Sequence, residues 1–501
     1  MIAKVLSATI VGLEAEIIEV EADISNGLTN TVIVGLADTA VQESKERVKN
    51  AVKNSECSYP VTRVSVNLAP ADLPKLGTHF DLPIALAIIA ASEQMSLNLD
   101  GKLFLGELSL DGKLRSVTGV LAVGLKAQQA GIKEIFVPLS NAAEAALVPD
   151  IKVYPAPSLK ELLEHLAGLK FLPEYPNVDL NSTLSNSRAS LDMKDVAGQE
   201  LAKRALEIAA AGGHNVLLSG PPGSGKTLLA RAMAGILPDL SLEEVLELTK
   251  IYSIAGRLKE NFVSSRPIRS PHHTTSNVAL VGGGTSPKPG EITLSHRGIL
   301  FLDEFPEFPR NVLEALRQPL EDGVVTVSRA SGSFTFPAKF TLIAAQNPCP
   351  CGYFGDSTKR CQCNPAQIFK YQKKISGPLL DRIDLHVEVP RLPYEKISKE
   401  GGNEDSSSIK QRVQLARRVQ RGRFGSSKTN SEMGLVEIKA HCMLDREGED
   451  ILKQATKRYN FSGRSLHRIL KVARTIADLA QSEKILPLHL GEAVQYRPKS
   501  E

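Results

Sequence analysis

The sequence predicts an α/β protein of several domains, and three observations lead to this fold class. An apolar run at residues 215–219 leads into a glycine-rich stretch at 220–227, and a helical pattern follows it. Two further apolar runs, 298–304 and 341–347, end in polar side chains. The first 165 or so residues alternate short strand-like runs with helical ones, which is the pattern of an α/β domain.

Length and charge limit the classes of protein that fit. The chain has 501 residues, 42% of them hydrophobic, which suffices for two to four domains with real cores. The net charge is only +4, so any nucleic-acid binding has to come from local basic patches. No apolar run reaches 18 residues, and Glu14, Glu16 and Glu19 interrupt the place of a signal peptide, so we expect a cytoplasmic protein with no membrane span.

The N-terminal part carries five predicted strands and two predicted helices. The strands are expected at residues 6–10, 16–22, 31–35, 64–68 and 135–138, and the helices at 38–53 and 82–92. Within this part, residues 77–86, 106–110 and 130–133 resemble the proteolytic domain of Lon-type proteases, whose fold belongs to the ribosomal-S5-domain-2-like class.

The resemblance to Lon does not extend to catalysis. The proteases carry a serine nucleophile and a lysine base in these segments. Here no serine lies between Gly77 and Leu86, and Val123 stands where the lysine is expected. Without a nucleophile and an activating base the covalent route is closed. We therefore expect residues 1–167 to form a non-catalytic domain for oligomerisation or substrate binding.

Residues 168–191 change character, because prolines and a polar run replace the periodic patterns, and they are predicted to be a linker. Residues 192–199 then open a helix at 200–211. In the AAA+ class, which the chain resembles from this point, such a segment packs against adenine. An ordinary helix cap is the alternative interpretation.

The stretch 220–227 fits the P-loop pattern G-x-x-x-x-G-K-[ST] between a strand and a helix. Its backbone N–H groups would cradle phosphate oxygens at the helix N-terminus. Lys226 would reach the β- and γ-phosphates of ATP, and the Thr227 hydroxyl would hold Mg²⁺. The predicted nucleotide-binding residues are Gly220, Pro221, Pro222, Gly223, Ser224, Gly225, Lys226 and Thr227.

Two other strand ends complete a hydrolytic site. Asp303 at the end of the 298–304 run would orient the Mg²⁺ ligands, and Glu304 would polarise the attacking water. If the 341–347 strand lies between the other two, Asn347 comes close to the γ-phosphate and would hold that water.

Arginines farther along the chain are candidates for contacts to phosphate. Arg382 suits a finger donated across a subunit boundary, and a surface ion pair with Asp381 or Asp384 is the alternative. Arg464, or failing that Arg468, would contact phosphate from a helix at 465–480. Both are equally compatible with a solvated position.

Further motifs make the resemblance specific. His272 and His273 followed by residues 279–284, then 289–291, 347–352 and 379–384, look like the YifB/ComM family of magnesium-chelatase-like AAA+ ATPases. The match covers essentially the whole chain. It implies a central AAA+ domain over 192–395 and a helical lid over 435–501.

The resemblance also implies a function. Members of this family form rings, expected to be homo-hexamers, and ComM resembles a DNA helicase that drives branch migration during natural transformation. The chain is thus expected to hydrolyse ATP and to act on single-stranded or branched DNA. Two alternatives stay open: an ATPase subunit of a magnesium chelatase, against which the extra N-terminal domain argues, and a Lon-like protein remodeller without protease activity.

Two insertions suit a motor that handles a polymer. The first covers about 257–291 and holds His272 and His273, which we expect to order the insert, although roles as metal ligands or in catalysis stay open. The second, 323–337, alternates β-formers around a turn, which predicts a hairpin. Arg329 near its tip would take a phosphate, and a purely structural hairpin is the alternative.

Four of the six cysteines fall in one short stretch, which is the arrangement of a metal site rather than of a disulfide scaffold. Cys349, Cys351, Cys361 and Cys363 permit a tetrahedral zinc site. Four reduced thiols in a surface loop are the alternative.

The end of the chain is predicted to be a connector followed by helices. Residues 396–434 are expected to be a flexible basic connector, in which Arg412, Arg417, Arg418, Arg421 and Arg423 form either a solvated helix face or a surface for phosphate. Helical periodicity in 466–476 predicts core positions of the lid.

Overall fold

The computed structural model describes residues 2–177, 191–284, 287–329, 332–356, 358–393 and 403–497. The chain forms two units, one of residues 1–183 with 245–263 and the other of residues 184–244 with 264–501. In the described ranges no helix is long and apolar enough to cross a membrane.

The described residues of the first unit include nine strands and five helices that lie wholly within it. The strands are β1 Ala3–Val11, β2 Glu14–Ser25, β3 Asn30–Val34, β4 Arg63–Ala69, β5 Lys102–Phe104, β6 Glu107–Leu108, β7 Leu114–Arg115, β8 Glu134–Pro138 and β9 Lys152–Ala156. The helices are α1 Thr39–Asn54, α2 Asp81–Ala91, α3 Val120–Gln129, α4 Ala142–Ala145 and α5 Leu159–Leu166.

Seven of these strands form one mixed sheet in the order β3-β4-β2-β1-β5-β8-β9. The five strands and two helices expected from the sequence are present, and the α/β fold class is confirmed. Helix α1 begins where the pattern predicts it, because the Asp38 carboxylate accepts a hydrogen bond from Val41 N at 2.8 Å. Helix α2 is apolar on all sides because residues 82–89 are all buried in the core of this unit.

The second unit contains a parallel sheet, a hairpin and most of the helices. Its elements, with one helix that runs on into residues of the first unit, are α6 Glu200–Gly212, β10 Val216–Ser219, α7 Lys226–Ala232, α8 Leu242–Ile254, β11 Ile268–Arg269, α9 Asn277–Val281, β12 Gly282–Gly283, β13 Lys288–Pro289, α10 Glu291–Leu294, β14 Ile299–Leu302, α11 Arg310–Ala315, α12 Arg317–Asp322, β15 Val324–Arg329, β16 Gly332–Pro337, β17 Thr341–Gln346, α13 Pro365–Gln372, α14 Gly377–Leu380, β18 Leu385–Glu388, α15 Ser406–Phe424, α16 Leu435–His441, α17 Arg446–Tyr459, α18 Gly463–Leu479 and α19 Pro487–Gln495.

The five strands of the parallel sheet lie in the order β11-β14-β17-β10-β18. Strand β17 therefore lies between β14 and β10, as we expected for the strand that ends in Asn347. In register, Ser219 of β10 lies beside Gln346 of β17 and Glu388 of β18. The carboxyl ends of these strands thus meet at one edge of the sheet, which is where parallel α/β sheets bind ligands.

Residues 245–263 differ from the sequence-based domain boundaries. They fall in the predicted AAA+ domain but belong to the first unit. Leu248 and Ile251 are buried there, Ser253 Oγ accepts a hydrogen bond from Gly119 N at 2.7 Å, and Lys250 pairs with Glu14 at 2.7 Å. These are tertiary contacts, and a helical sequence pattern does not reveal which neighbour its apolar face will meet.

The predicted connector also differs from the structure where the structure describes it. Residues 406–424 of the connector form helix α15, whose Ile409, Val413 and Ala416 join the same core as the lid residues Ile469, Val472 and Ile476. Before it, 394–402 lie outside the described residues, as do 178–190 of the linker.

Candidate functional site

The P-loop follows strand β10 and leads into helix α7. Gly223 and Gly225 have φ values of +75° and +94°, a left-handed backbone that glycine adopts without strain. A side chain at either position would meet no atom within 4 Å, so the backbone is open on that side. The Ser224 hydroxyl is buried and has no hydrogen-bond partner among the described residues. This loop therefore fits an anion that accepts hydrogen bonds from backbone and side chain.

Lys226 bends back over the loop. Its ammonium donates to Gly220 O at 2.7 Å, to Pro221 O at 2.9 Å and to Asn347 Oδ1 at 3.2 Å. Burial lowers the pKa of Lys226, against the opposing effect of the Asp303 charge. A buried cation held only by neutral oxygens is available to an anionic phosphate, which pairs with it far more strongly.

The predicted magnesium ligands lie together. Thr227 Oγ1 donates to Asp303 Oδ2 at 2.8 Å, and the other Asp303 oxygen accepts from Glu304 N at 2.9 Å. A hydroxyl and a carboxylate are oxygen ligands of the kind that Mg²⁺ takes, usually with several waters and the phosphates of a nucleotide. The arrangement therefore fits Mg²⁺ between Thr227 and Asp303.

Glu304 has a partner that the sequence did not identify. His273 Nδ1 lies 3.2 Å from Glu304 Oε2, and the His273 ring packs against Phe308 with centroids 6.5 Å apart. Glu304 itself has a left-handed backbone with φ +52°, just after the end of strand β14. The insertion that carries His273 is thus in contact with the predicted general base. No local sequence pattern links two residues 31 positions apart.

Two further residues complete the walls of the P-loop. The Gln199 amide donates to Ser224 O at 3.2 Å and to Pro390 O at 2.7 Å, and Arg391 donates to Pro222 O at 3.2 Å. Gln199 belongs to the segment expected near adenine. Arg391 was missed, although its position just after a strand of the sheet is a usable signal.

The arginines predicted to contact phosphate lie at the other edge of the sheet. Arg382 precedes β18, and Asp384, two residues on, donates its N–H to Asn215 O before β10 begins. Strand β10 then separates this point from the P-loop by roughly 15 Å, at about 3.3 Å per residue. Arg382 therefore does not reach the P-loop of its own chain.

The ion-pair partner of Arg382 also differs from the one that the alternative interpretation named. Arg382 pairs with Glu321 rather than with Asp381 or Asp384, and Arg464 Nη2 lies 3.9 Å from the same glutamate. Burial, with the nearby charges of Arg464, Arg468 and Arg317, lowers the pKa of Arg382. The structure thus gathers several cations at this edge.

Arg468 is partly buried, and its guanidinium is already paired within the chain. It donates to Asp384 Oδ1 at 2.6 Å and to Arg382 O at 3.1 Å. Burial alone raises the pKa of Asp384, but the Arg468 charge and the contact with His214 outweigh it and keep that pKa well below its usual range. The pair ties helix α18 to strand β18 beside Arg382.

The basic run of helix α15 is not a uniform surface for phosphate. Arg412 pairs with Glu207 and Glu404, Arg417 donates to Ala210 O at 3.1 Å, and Arg423 pairs with Asp478 at 2.6 Å. Three of the five arginines are thus used within the protein, while Arg418 and Arg421 are exposed. Arg329 was also predicted to contact a phosphate, and its side chain lies outside the part of the chain that the structure describes.

The four clustered cysteines converge in space. All four Sγ atoms lie within 4.8 Å of one another, and the three separations among Cys349, Cys351 and Cys361 are 3.3, 3.7 and 3.6 Å. Disulfide sulfurs lie about 2.05 Å apart, so these thiols are free. Backbone N–H groups of Gln362 and Tyr353 lower the pKa of Cys351. The sulfurs are placed to bind one metal ion together.

Comparison with known families covers most of the chain. The family described as "Magnesium chelatase, subunit ChlI" matches residues 192–397, and its C-terminal counterpart matches 403–497. A family described as "Subunit ChlI of Mg-chelatase" matches residues 20–141. We had expected the N-terminal part to argue against a chelatase subunit. Because a family described as a chelatase subunit also matches the N-terminal part, that argument does not hold.

Some individual relatives match over nearly the full length, and another matches over a part. The chain is 44% identical over 500 residues to "Competence protein ComM" of Haemophilus influenzae, covering 99% of this chain and 97% of the relative. It is 45% identical over 491 residues to YifB of Escherichia coli, covering 97% and 95% of the two chains. "Lon protease 2" of Bacillus subtilis is 29% identical over 161 residues, 30% of this chain and 29% of the protease.

Proposed function

The chain belongs to the magnesium-chelatase-like AAA+ ATPase family of ComM and YifB, and from this premise we propose that it is a ring-forming ATPase that uses ATP hydrolysis to move DNA. One observation carries the hydrolytic part. Lys226, Thr227, Asp303, Glu304 and Asn347 come from three strand ends and meet at one edge of the sheet.

Each residue has a distinct role in the proposed reaction. Lys226 leaves its carbonyl partners for the phosphates and keeps Asn347 within reach of the γ-phosphate. Mg²⁺ supplies charge neutralisation on the transferred phosphoryl group, and Thr227 and Asp303 would hold it. Glu304 accepts a proton from the attacking water, and Asn347 orients that water.

The position of Arg382 supports a ring. Since Arg382 and Arg464 lie at the edge remote from their own P-loop, a neighbouring subunit is the source of a phosphate that they reach, as an arginine finger requires. Mixing Arg382→Ala with Lys226→Ala chains tests this. Each variant alone is expected to be inactive, and the mixture is expected to recover ATPase activity. No recovery would mean that Arg382 serves its own chain or none.

The polymer part of the proposal is supported by the hairpin β15–β16. Val325 and Val327 are buried, while Thr326, Ser328 and Ser333 are exposed along its length. A hairpin that projects polar side chains from an ATPase core suits contact with a phosphate backbone. We propose a DNA helicase that promotes branch migration in recombination or natural transformation, assembled as a homo-hexamer.

The deciding experiment is the ATPase rate with and without single-stranded and branched DNA, beside Lys226→Ala and Glu304→Gln. Stimulation by DNA that both substitutions abolish is the expected result. ATP hydrolysis that DNA does not stimulate would refute the motor and leave the nucleotide site intact.

Two alternatives have observations of their own. The matching family descriptions favour an ATPase subunit of a magnesium chelatase, which predicts stimulation by a porphyrin together with partner subunits. The match to a Lon protease favours a protein remodeller, which predicts stimulation by unfolded protein. The same ATPase assay, with these additions in place of DNA, separates the three functions.

For the four-cysteine cluster we propose Zn²⁺. Four thiolates select a tetrahedral metal such as zinc, whose sulfur ligands lie about 2.3 Å from the ion and hence about 3.8 Å from one another. The observed separations of 3.3–3.7 Å are close to that edge length. Elemental analysis of the purified chain is expected to give one zinc per chain, and Cys361→Ser is expected to lose it.

A further inference from the structure

The four-cysteine loop, residues 348–364, connects strand β17 of the nucleotide site with helix α13. It begins directly after Asn347 at the end of β17 and ends at Asn364, which caps helix α13. Cys349 is buried, and its Sγ accepts a hydrogen bond from Phe354 N at 3.3 Å. The chain therefore passes from the water-orienting amide to the first thiol within two residues, and their backbone positions are tied together.

Gly352 brings this loop against the P-loop. A Cβ atom at Gly352 would lie 2.5 Å from Pro222 Cδ and 3.8 Å from Asn347 Cγ. Its φ of +84° also favours glycine. The loop backbone at this point is thus in close contact with Pro222 on one side and lies near Asn347 on the other.

Arg391 adds a second link between the same two loops. Its guanidinium donates to Pro222 O at 3.2 Å and to Thr358 Oγ1 at 3.4 Å, and it lies 5.9 Å from the centroid of the Tyr353 ring. At the other end of the loop, Gln372 donates to Pro348 O at 3.4 Å. The cysteine loop therefore has several contacts through which its shape is transmitted to the P-loop.

We infer that the metal-bound cysteine loop is a clamp that positions Asn347 and the P-loop residue Pro222 for hydrolysis. This inference rests on the proposed ATPase activity and on the proposed zinc. The cysteines are positioning residues in this inference, because they act through Asn347 and Pro222. Nucleotide affinity comes mainly from Lys226 and the P-loop backbone, so loss of the clamp lowers kcat much more than it weakens nucleotide binding.

Two glycines of the loop provide a matched pair of variants that leave all four thiols in place. Gly352→Ala introduces a Cβ into Pro222, whereas Gly355, with φ +77°, has no atom within 4 Å of a Cβ. Both variants carry the same backbone penalty, and only the first disturbs the clamp. We expect Gly352→Ala to lose roughly 10- to 100-fold in kcat relative to Gly355→Ala, since small misplacements of catalytic groups cost that much.

Three measurements on the full-length chain accompany the rates: zinc content, the Kd of a fluorescent ATP analogue, and the unfolding midpoint. The inference requires one zinc per chain in both glycine variants, at a temperature well below both unfolding midpoints, and in Gly352→Ala alone a fall in kcat much larger than any rise in Kd. Equal kcat in the two variants, with zinc bound, would overturn the clamp and leave the ATPase and the metal site standing.

Cysteine variants test the metal directly. Cys361→Ser is expected to lose zinc and kcat while binding nucleotide, and Cys361→His, which restores a four-ligand site, is expected to regain both. A purified wild-type chain that hydrolyses ATP without zinc refutes the metal and the clamp together. A zinc-loaded wild-type chain with no ATPase activity refutes the proposed function, and the clamp with it.

Discussion

Replacing Asp384 with asparagine is expected to destabilise the unit of residues 184–244 and 264–501 by about 3 kcal/mol, at the lower end of what breaking a buried ion pair costs. Asp384 is 2% exposed. One carboxylate oxygen accepts from Arg468 at 2.6 Å, and the other accepts from Asn215 N at 3.1 Å and lies 3.5 Å from His214 Nδ1. An asparagine offers one acceptor oxygen, so its NH₂ group must face a donor on one of the two sides.

The estimate is kept at the lower end because Arg468 is not left without a partner. Its side chain is 23% exposed, and it still donates to Arg382 O at 3.1 Å. The unit has about 300 residues and hence an unfolding entropy of roughly 0.6 kcal/mol/K, so about 3 kcal/mol lowers the midpoint of thermal unfolding by about 5 °C.

Calorimetry of the full chain is the assay, because the two units can unfold in separate transitions and only one of them should shift. Asp381→Asn is the control, since Asp381 is exposed three positions away. A midpoint of Asp384→Asn equal to that of the control would show that this ion pair does not hold helix α18 to the sheet, and the reasoning would be wrong.

The remaining predictions concern pH, the catalytic base and the metal. The folded-state pKa of Asp384 lies below its unfolded value. The contribution of Asp384 to stability is therefore fully present above about pH 5 and is lost as the pH falls through and below about 4. We expect the difference in stability between wild type and Asp384→Asn to shrink in acid. His273→Ala frees Glu304 from its 3.2 Å contact and should raise the basal ATPase rate. The control is His272→Ala, at the exposed neighbouring position. A lower ATPase rate in His273→Ala would mean that His273 orients the base. Thr227→Ala removes a predicted Mg²⁺ ligand and should raise the Mg²⁺ concentration for half-maximal ATPase activity by roughly 10-fold, by analogy with the loss of other metal-site partners. An unchanged Mg²⁺ requirement would exclude Thr227 as a ligand.

The order of predicted strands and helices could be obtained from the sequence because each depends on local rules. Periodicity located β1 to β4 and β8, and the P-loop was recognised from a pattern whose glycines have an immediate backbone reason. The strand β5 was missed, since three residues offer too little periodicity, and β9 was missed although it is as long as β8.

Part of the site could be predicted because the sheet that carries it is parallel. Side chains that follow parallel strands meet at one edge, which brought Lys226, Asp303 and Asn347 together as expected. The partners of charged groups were not predictable in this way. The alternative to a finger role for Arg382 was an ion pair with Asp381 or Asp384, but Arg382 pairs with Glu321, because a long side chain selects its partner by tertiary proximity.

The amino-acid sequence alone therefore determined the α/β class, the family, the P-loop pattern and the grouping of four cysteines, since each is carried by residues that are close in the chain. Tertiary structure decided that His273 contacts Glu304, that Arg382 lies at the edge away from its own P-loop, and that Gly352 packs on Pro222. These relations join residues far apart in sequence, and their physical cause is the order and register of the strands that carry them.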